Sequence, residues 1–169
     1  LLKLGEFYAK SIQASGIQFD MLFGPAYKGI PLVAAISIAF AKNGHNFPYA
    51  YNRKEAKDHG EGGSLVGATL TGNVLIIDDV ISAGTSVRES VDIILQSGAK
   101  PSGVAIALDR QEKGTGQLSA VQEVETLHNI PVCSIVNLTD LLNFVHNQSD
   151  MAQHLLKIEQ YRQQYGIAN

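Results

Sequence analysis

Cysteine is almost absent: Cys133 is the only one in 169 residues. A lone thiol builds neither a disulfide framework nor a thiolate metal cluster, and it points to a reducing cytosol. It lies in the apolar run Val132-Cys-Ser-Ile-Val136, which favours a buried structural thiol over a nucleophile. Charge is sparse, at 17% of residues, and the formal net charge is −3. The basic surplus of a nucleic-acid-binding protein is therefore missing. Long apolar runs are missing too. The longest candidate, Ile30 to Ala41, contains Pro31 and falls short of the roughly 20 residues of a membrane span, so it reads as a core helix. The histidines, at positions 45, 59, 128, 146 and 154, form no pair with metal-ligand spacing, and protein-held zinc is not expected. The chain opens Leu1-Leu-Lys-Leu4 with neither Met nor a signal-peptide pattern. Leu1, Leu4, Tyr8 and Ile12 keep helical spacing, so the sequence reads as starting inside a helix of a longer protein.

What is present suits a single globular domain spanning 1–169, with 45% apolar residues and no repeat or linker to divide it. Helical and strand patterns alternate. The first helix ends near Ser15, with Gly16 in the C′ position, and Phe19 to Phe23 is a strand broken by Gly24-Pro25. Pro31 suits the first turn of a helix running to about Asn43. Strands follow at Tyr49 to Asn52, Val74 to Ile77, Val104 to Leu108 and Val132 to Val136. Between and after them come helices at Thr85 to Gln96, from the capping box Ser119-Ala-Val-Gln122, at about Leu141 to His146 and at Met151 to Tyr165. This alternation predicts an α/β fold with a mostly parallel sheet flanked by helices. Asn137-Leu-Thr139 and Asn147-Gln-Ser149 are glycosylation triplets only in a secretory compartment, which nothing in the sequence supports.

The densest chemistry lies in Val74-Leu-Ile-Ile-Asp-Asp-Val-Ile-Ser-Ala-Gly-Thr-Ser86. Four apolar residues read as a strand buried on both faces, and such a strand belongs to a parallel sheet. The run stops at two carboxylates, Asp78 and Asp79, and ligands of open parallel sheets bind beyond the carboxyl ends of their strands. Amides at the start of the next helix would hold an anion, and Gly84 would let the chain approach it. Two acids beside an anion cradle suit a sugar phosphate, because carboxylates accept from ribose hydroxyls or approach Mg²⁺. The plainer account is a strand-turn-helix with Thr85 or Ser86 as an ordinary N-cap.

Arg53-Lys-Glu-Ala-Lys-Asp-His-Gly-Glu-Gly-Gly63 is the second constellation. Arg53, Lys54, Lys57 and His59 gather four potentially cationic groups ahead of hinge-capable glycines. A charge run is usually a solvated face. Here it stands out against an acidic chain and lacks any fold-building periodicity. A mobile cationic loop that closes over a polyanion would exclude water and stabilise a departing pyrophosphate.

The double-acid run resembles the ribose-phosphate signature of type I phosphoribosyltransferases, enzymes that use phosphoribosyl pyrophosphate (PRPP). Asn52-Arg-Lys-Glu-Ala-Lys-Asp-His-Gly60 resembles the catalytic loop of the orotate phosphoribosyltransferases. Gly24-Pro-Ala-Tyr-Lys-Gly-Ile30 is similar to that family's pyrophosphate loop, and Leu108-Asp-Arg-Gln-Glu112 to its orotate-contacting segment. The resemblance implies the type I fold, transfer of 5-phosphoribosyl from PRPP to orotate in pyrimidine biosynthesis, and a need for Mg²⁺. It assigns Tyr27 and Lys28 to pyrophosphate, and Arg53, Lys54, Lys57 and His59 to the PRPP-meeting loop. Asp78 and Asp79 would lie beside the ribose hydroxyls, followed by Val80, Ile81 and Ser82. Ala83, Gly84, Thr85 and Ser86 would cradle the 5′-phosphate. Ser82, where the family often has Thr, and Arg110 would meet orotate. Lys57, His59 and Asp79 are the catalytic residues so implied, with Mg²⁺ bound mainly through PRPP. A homodimer is implied as well, the Arg53 to Gly63 loop reaching the neighbouring active site, with no role for nucleic acid or membrane. The family's N-terminal hood segment, which supplies a lysine, has no counterpart in this sequence, so the domain is expected to be N-terminally incomplete.

Two rivals differ in kind. A PRPP-binding regulator of the same fold would bind PRPP without consuming it when orotate is present. A phospho-receiver domain also pairs acids at a strand end, but it needs a Lys after a later strand. Ile135-Val-Asn-Leu-Thr139 offers none.

Overall fold

Consecutive residues of the central strands are apolar because both faces of the sheet are covered, with alternate side chains entering opposite layers. In this computed structural model, which describes residues 1–54 and 64–167, the first elements are helix α1 (Leu2–Ser15), strand β1 (Met21–Gly24), helix α2 (Gly29–Lys42) and strand β2 (Tyr49–Asn52). Strands β3 (Leu65–Gly67) and β4 (Asn73–Ile77) follow, then helix α3 (Thr85–Gln96) and strand β5 (Lys100–Asp109). Helix α4 (Ala120–His128), strand β6 (Val132–Asn137), helix α5 (Leu138–His146) and, after a 3-10 turn, helix α6 (Ala152–Tyr165) complete the order. The sheet runs β3-β2-β1-β4-β5-β6, parallel throughout except for β3.

Met21, Phe23, Val74, Ile76, Val104 and Ile106 point into one layer, where residues of α3 and α4 meet them. Leu22, Leu75, Ile77 and Ala105 point into the other, against Tyr8 and Ile12 of α1 and Val33 and Ile36 of α2. Each fully buried Leu, Ile or Phe contributes roughly 1.5–3 kcal/mol relative to an exposed one, so these two layers carry the fold. Among the described residues no helix is long and apolar enough to cross a membrane. Cys133 is half-buried on β6, and burial raises its pKa, as befits an inert thiol.

The predicted α/β sheet is present, and α1, β2 and α3 match their expected bounds. Four elements differ. β1 runs Met21–Gly24 rather than Phe19 to Phe23. β3 was not expected, because a three-residue antiparallel edge strand with half-exposed side chains has no readable period. β5 starts at Lys100 rather than Val104. Lys100-Pro-Ser-Gly reads as a turn, yet Pro101 pairs with Val74 beside a register irregularity that absorbs its missing N–H. α5 starts at Leu138 rather than about Leu141, because Asn137 and Asp140 form a capping box.

Two glycines shape the turn after β1. A Cβ on Gly24 would collide with the Gly29 carbonyl, and one on Gly29 would lie 2.7 Å from the Gly24 carbonyl carbon. The strand end and helix start therefore touch backbone to backbone, and residues 25–28 are pushed out as a tight loop. Because backbone cannot swing aside, Gly24→Ala should cost about 1–3 kcal/mol. A denaturant midpoint unchanged from wild type would show that the turn accommodates the methyl group.

Candidate active site

β1 and β4 are neighbours, but α2 leaves β1 across one face of the sheet and α3 leaves β4 across the other. At such a switch point the two loops part and leave a crevice beyond the carboxyl ends of the strands. A cleft of about 510 Å³ opens there. Its walls are the turn after β1, the run from Asp78 to Val87 after β4, and Lys54 after β2. Of the residues singled out from sequence, Tyr27, Lys28, Lys54 and all of Asp78 to Ser86 line it together. Arg53 adjoins, its amide donating to the Ser64 carbonyl at 2.6 Å. Lys57 and His59 lie outside the described residues.

The strand dictates the position of the acids. Ile77 is fully buried, Asp78 is still only 7% exposed, and Asp79 turns out into the cleft. The Asp78 amide donates to the Ala105 carbonyl at 3.1 Å, and the Asp79 carbonyl accepts from Ala107 at 2.9 Å, so β5 holds the exit of β4 rigidly. From the opposite layer the Tyr8 hydroxyl donates to the Asp78 carbonyl at 2.7 Å. Burial, with both carboxylates nearby, raises the pKa of this phenol, which keeps it a donor.

Thr85 and Ser86 are not ordinary caps. Gly84 occupies the N-cap of α3 with φ 68°, and no side chain accepts from the first-turn amides. Lys28 likewise precedes α2 without a side-chain cap. The start of α3 thus brings amides that no described side chain caps to the cleft, an arrangement suited to an anionic group. At α2 the Gly29 and Ile30 amides donate to the Pro25 and Tyr27 carbonyls and Pro31 has no N–H, so α2 offers its positive dipole end and Lys28 instead. A side chain at Gly84 would be strained by the positive φ, and its Cβ would sit 3.1 Å from Val124.

Arg110, just beyond β5, donates from Nη2 to Ser82 Oγ at 2.6 Å and pairs with Glu112 at 2.8 Å. This brings the two residues implicated in base recognition together at the far lip of the acid loop. Residues that the sequence reading left without a role support the walls. Asn52 Oδ1 accepts from the Ala26 amide at 2.7 Å, pinning the turn after β1 to the end of β2. A polar residue at the carboxyl end of a parallel strand was the available signal for Asn52; Tyr8 gave none.

Lys28 Nζ reaches Asp79 Oδ2 at 2.8 Å. Burial alone would raise the pKa of Asp79, but the Lys28 hydrogen bond and charge outweigh it, and the carboxyl sits below its ordinary 3.8. The same contact raises the pKa of Lys28. Asp78 goes the other way: burial raises its pKa in spite of the Ser86 hydroxyl and the Asp79 amide, which donates to Oδ1 at 2.9 Å. An acid with a raised folded pKa destabilises the protein at neutral pH, and this penalty fades as pH falls through that pKa. Asp78→Asn should therefore raise Tm by a few degrees at pH 7, with the gain shrinking in acid as wild-type Asp78 takes up its own proton. A thermal scan giving an equal or lower Tm for the variant at pH 7 would show that the carboxylate is not a burden on the fold.

A family model described as a phosphoribosyl transferase domain matches residues 1–131. The chain is 67% identical, over 98% of its length and 78% of the relative's, to an orotate phosphoribosyltransferase of Chromobacterium violaceum. It is 64% identical to that of Nitrosospira multiformis, over 96% of this chain and 72% of the relative. The crystal structure of orotate phosphoribosyltransferase from Francisella tularensis superposes with a TM-score of 0.83 at 42% identity, covering 98% of this chain and 79% of that one. With the switch-point cleft and the acid run where such a fold carries them, the chain belongs to the orotate phosphoribosyltransferase family.

Proposed function

We propose that the protein transfers the 5-phosphoribosyl group of PRPP to orotate, giving orotidine 5′-phosphate and pyrophosphate. The observation that carries this reading is a single cleft in which an acid pair lies between Lys28, just ahead of α2, and the start of α3, whose first-turn amides no described side chain caps. PRPP carries a monophosphate at one end of a ribose and a pyrophosphate at the other, so it needs two anion sites flanking a hydroxyl-binding centre. Ala83 to Ser86 at the start of α3 take the 5′-phosphate. Tyr27 and Lys28 ahead of α2 take the pyrophosphate, with Arg53, Lys54, Lys57 and His59. Asp78 and Asp79 meet the ribose hydroxyls, and Val80, Ile81 and Ser82 wall the cleft between acids and cradle. Arg110 and Ser82 take orotate, where the guanidinium fork suits a planar ring bearing a carboxylate.

Bond breaking at the anomeric carbon leaves a cationic ribosyl centre and a more negative pyrophosphate. No covalent nucleophile is required. Asp79 stabilises the positive centre, while Lys57 and His59 meet the charge on the leaving group. Among the described residues no group of three or more His, Cys, Asp or Glu side chains is arranged to hold a metal ion. Asp78 and Asp79 are carboxylates that line the cleft, and Mg²⁺ would be held mainly by the phosphates of PRPP with these two nearby. When bound, Mg²⁺ supplies further neutralisation of the pyrophosphate. Mixing protein, PRPP and Mg²⁺ with orotate should lower orotate absorbance, and omission of either partner should abolish the change. Use of a purine base in place of orotate would sink the assignment. Consumption of neither, with PRPP still bound, would favour a regulator.

The active form is a homodimer in which the Arg53 to Gly63 loop serves the neighbouring site. Lys57→Ala should lower turnover by about 10²–10³-fold, the usual cost of losing one transition-state donor. Mixed dimers of Lys57→Ala and Arg110→Ala subunits should regain up to half of wild-type activity, since one site receives both defects and the other neither. Mixed dimers verified to have exchanged subunits, yet as inactive as both parents, would show that the loop serves its own subunit.

A further inference from the structure

We propose that Glu112 and Tyr161 are positioning residues for the base site, forming a relay by which the C-terminal helix fixes the orientation of the Arg110 guanidinium. The inference rests on the reading of Arg110 as the group that meets the base. Three links make up the relay. Arg110 Nη2 contacts Ser82 Oγ at 2.6 Å on the cleft side and Glu112 Oε2 at 2.8 Å behind. The other carboxylate oxygen of Glu112, Oε1, accepts from the Tyr161 hydroxyl of α6, 49 residues further along the chain. Glu112 also raises the pKa of that phenol, so the hydroxyl remains protonated and able to donate.

The backbone around this relay is clamped as well. Gly166 bridges Glu112 in antiparallel fashion. The Lys113 amide donates to the Tyr165 carbonyl at 2.8 Å, and the Ile167 amide to the Gln111 carbonyl at 3.3 Å. On the other flank, Thr139 donates to Gln111 Oε1 from its amide at 3.1 Å and its hydroxyl at 2.8 Å. Residues 110–113 are not a free loop after β5. They are a short span gripped by α5 and by the end of α6.

Orientation, rather than stability, is what this arrangement supplies. A half-exposed ion pair contributes little to folding. Arg110 also carries a cost, because its Nε is buried without a partner among the described residues. A guanidinium left to relax would turn that donor toward water or a carbonyl. Glu112 and Ser82 instead hold one edge of the plane, and Tyr161 keeps Glu112 from rotating away. For a planar, bidentate group the direction of the fork decides what it can bind. The C-terminal helix, remote in sequence from every PRPP motif, thereby becomes part of base selection.

Tyr161→Phe removes only the hydroxyl and preserves the ring that packs 5.0 Å from Tyr165. On the full chain, its KM for orotate should rise about tenfold, the usual effect of losing a supporting partner, with the KM for PRPP and Tm unchanged. Glu112→Ala should raise the orotate KM further, again without moving the PRPP KM. Should both variants keep wild-type KM for orotate while Arg110→Ala loses orotate binding, the relay is refuted and the base site stands. Should Arg110→Ala itself leave the orotate KM unchanged, the reading of Arg110 fails, and the relay with it. A fall in kcat or Tm with both KM values intact would mark Tyr161 and Glu112 as structural only, and would equally overturn the proposal.

Discussion

β1 and β4 lie side by side and parallel, with Met21 opposite Val74 and Phe23 opposite Ile76, yet the chain leaves them in opposite directions. This one pairing generates the cleft. Had both helices packed on the same face, the turn after β1 and the loop after β4 would have covered each other. Because they diverge, the apolar carboxyl ends of the two strands open onto a gap of about 510 Å³. Everything polar that the molecule concentrates there, from Lys28 to Ser86, is held by rigid strands at its back. The Gly24–Gly29 contact tightens one lip and the Gly84 turn the other, so that backbone rather than flexible side chains forms the approach to the site.

The electrostatics of the cleft follow from how far each acid stands from the core. Asp78 follows directly on β4, its amide still bound to the Ala105 carbonyl, and burial makes its charge unwelcome. Asp79, one residue on, is 33% exposed in its side chain and is compensated by Lys28. Adjacent carboxylates thus differ in character because one stays buried at the strand exit while the other turns into the cleft and meets Lys28. Lys28 itself is 71% exposed, so its contact with Asp79 adds little to stability and can be exchanged for an incoming phosphate at small cost. The Tyr8 hydroxyl and the Ala105 carbonyl of β5 hold the backbone of Asp78, its carbonyl accepting from the first and its amide donating to the second.

Much of this was legible from the chain. The apolar run Val74 to Ile77 ending in two acids located β4 and the cleft at its carboxyl end, because acids set directly against a buried strand are costly unless they face an opening. Gly16 and Gly98 marked helix ends correctly because their positive φ values are required there, at 73° and 79°. What stayed hidden depends on partners far along the chain. Tyr8 looks like any core position of an amphipathic helix until α1 is laid against the end of β4, 70 residues away. Glu112 reads as one more surface acid until the end of α6 returns to it. Asn137 was given no role from sequence, whereas its side chain accepts from the Asp140 amide at 2.8 Å as a helix cap.

The treatment of helix starts separates scaffold from site. α4 opens with the reciprocal capping of Ser119 and Gln122, and α5 with that of Asn137 and Asp140, so their first-turn amides are met within the chain. α2 and α3 have no such side chains, although Thr85 and Ser86 stand within reach of the role. α1 and α6 also start without side-chain caps but contribute nothing to the walls of the cleft. At α2 the Pro25 and Tyr27 carbonyls already meet the Gly29 and Ile30 amides; at α3 a side-chain cap would typically contribute about 0.5–2 kcal/mol, stability that the sequence could have supplied there and does not. Such a concession makes sense where a ligand completes the helix. An anion bound at the start of α3 would add to the stability of the fold in the same step that it positions a substrate, which would tie occupancy of the cleft to the rigidity of that wall.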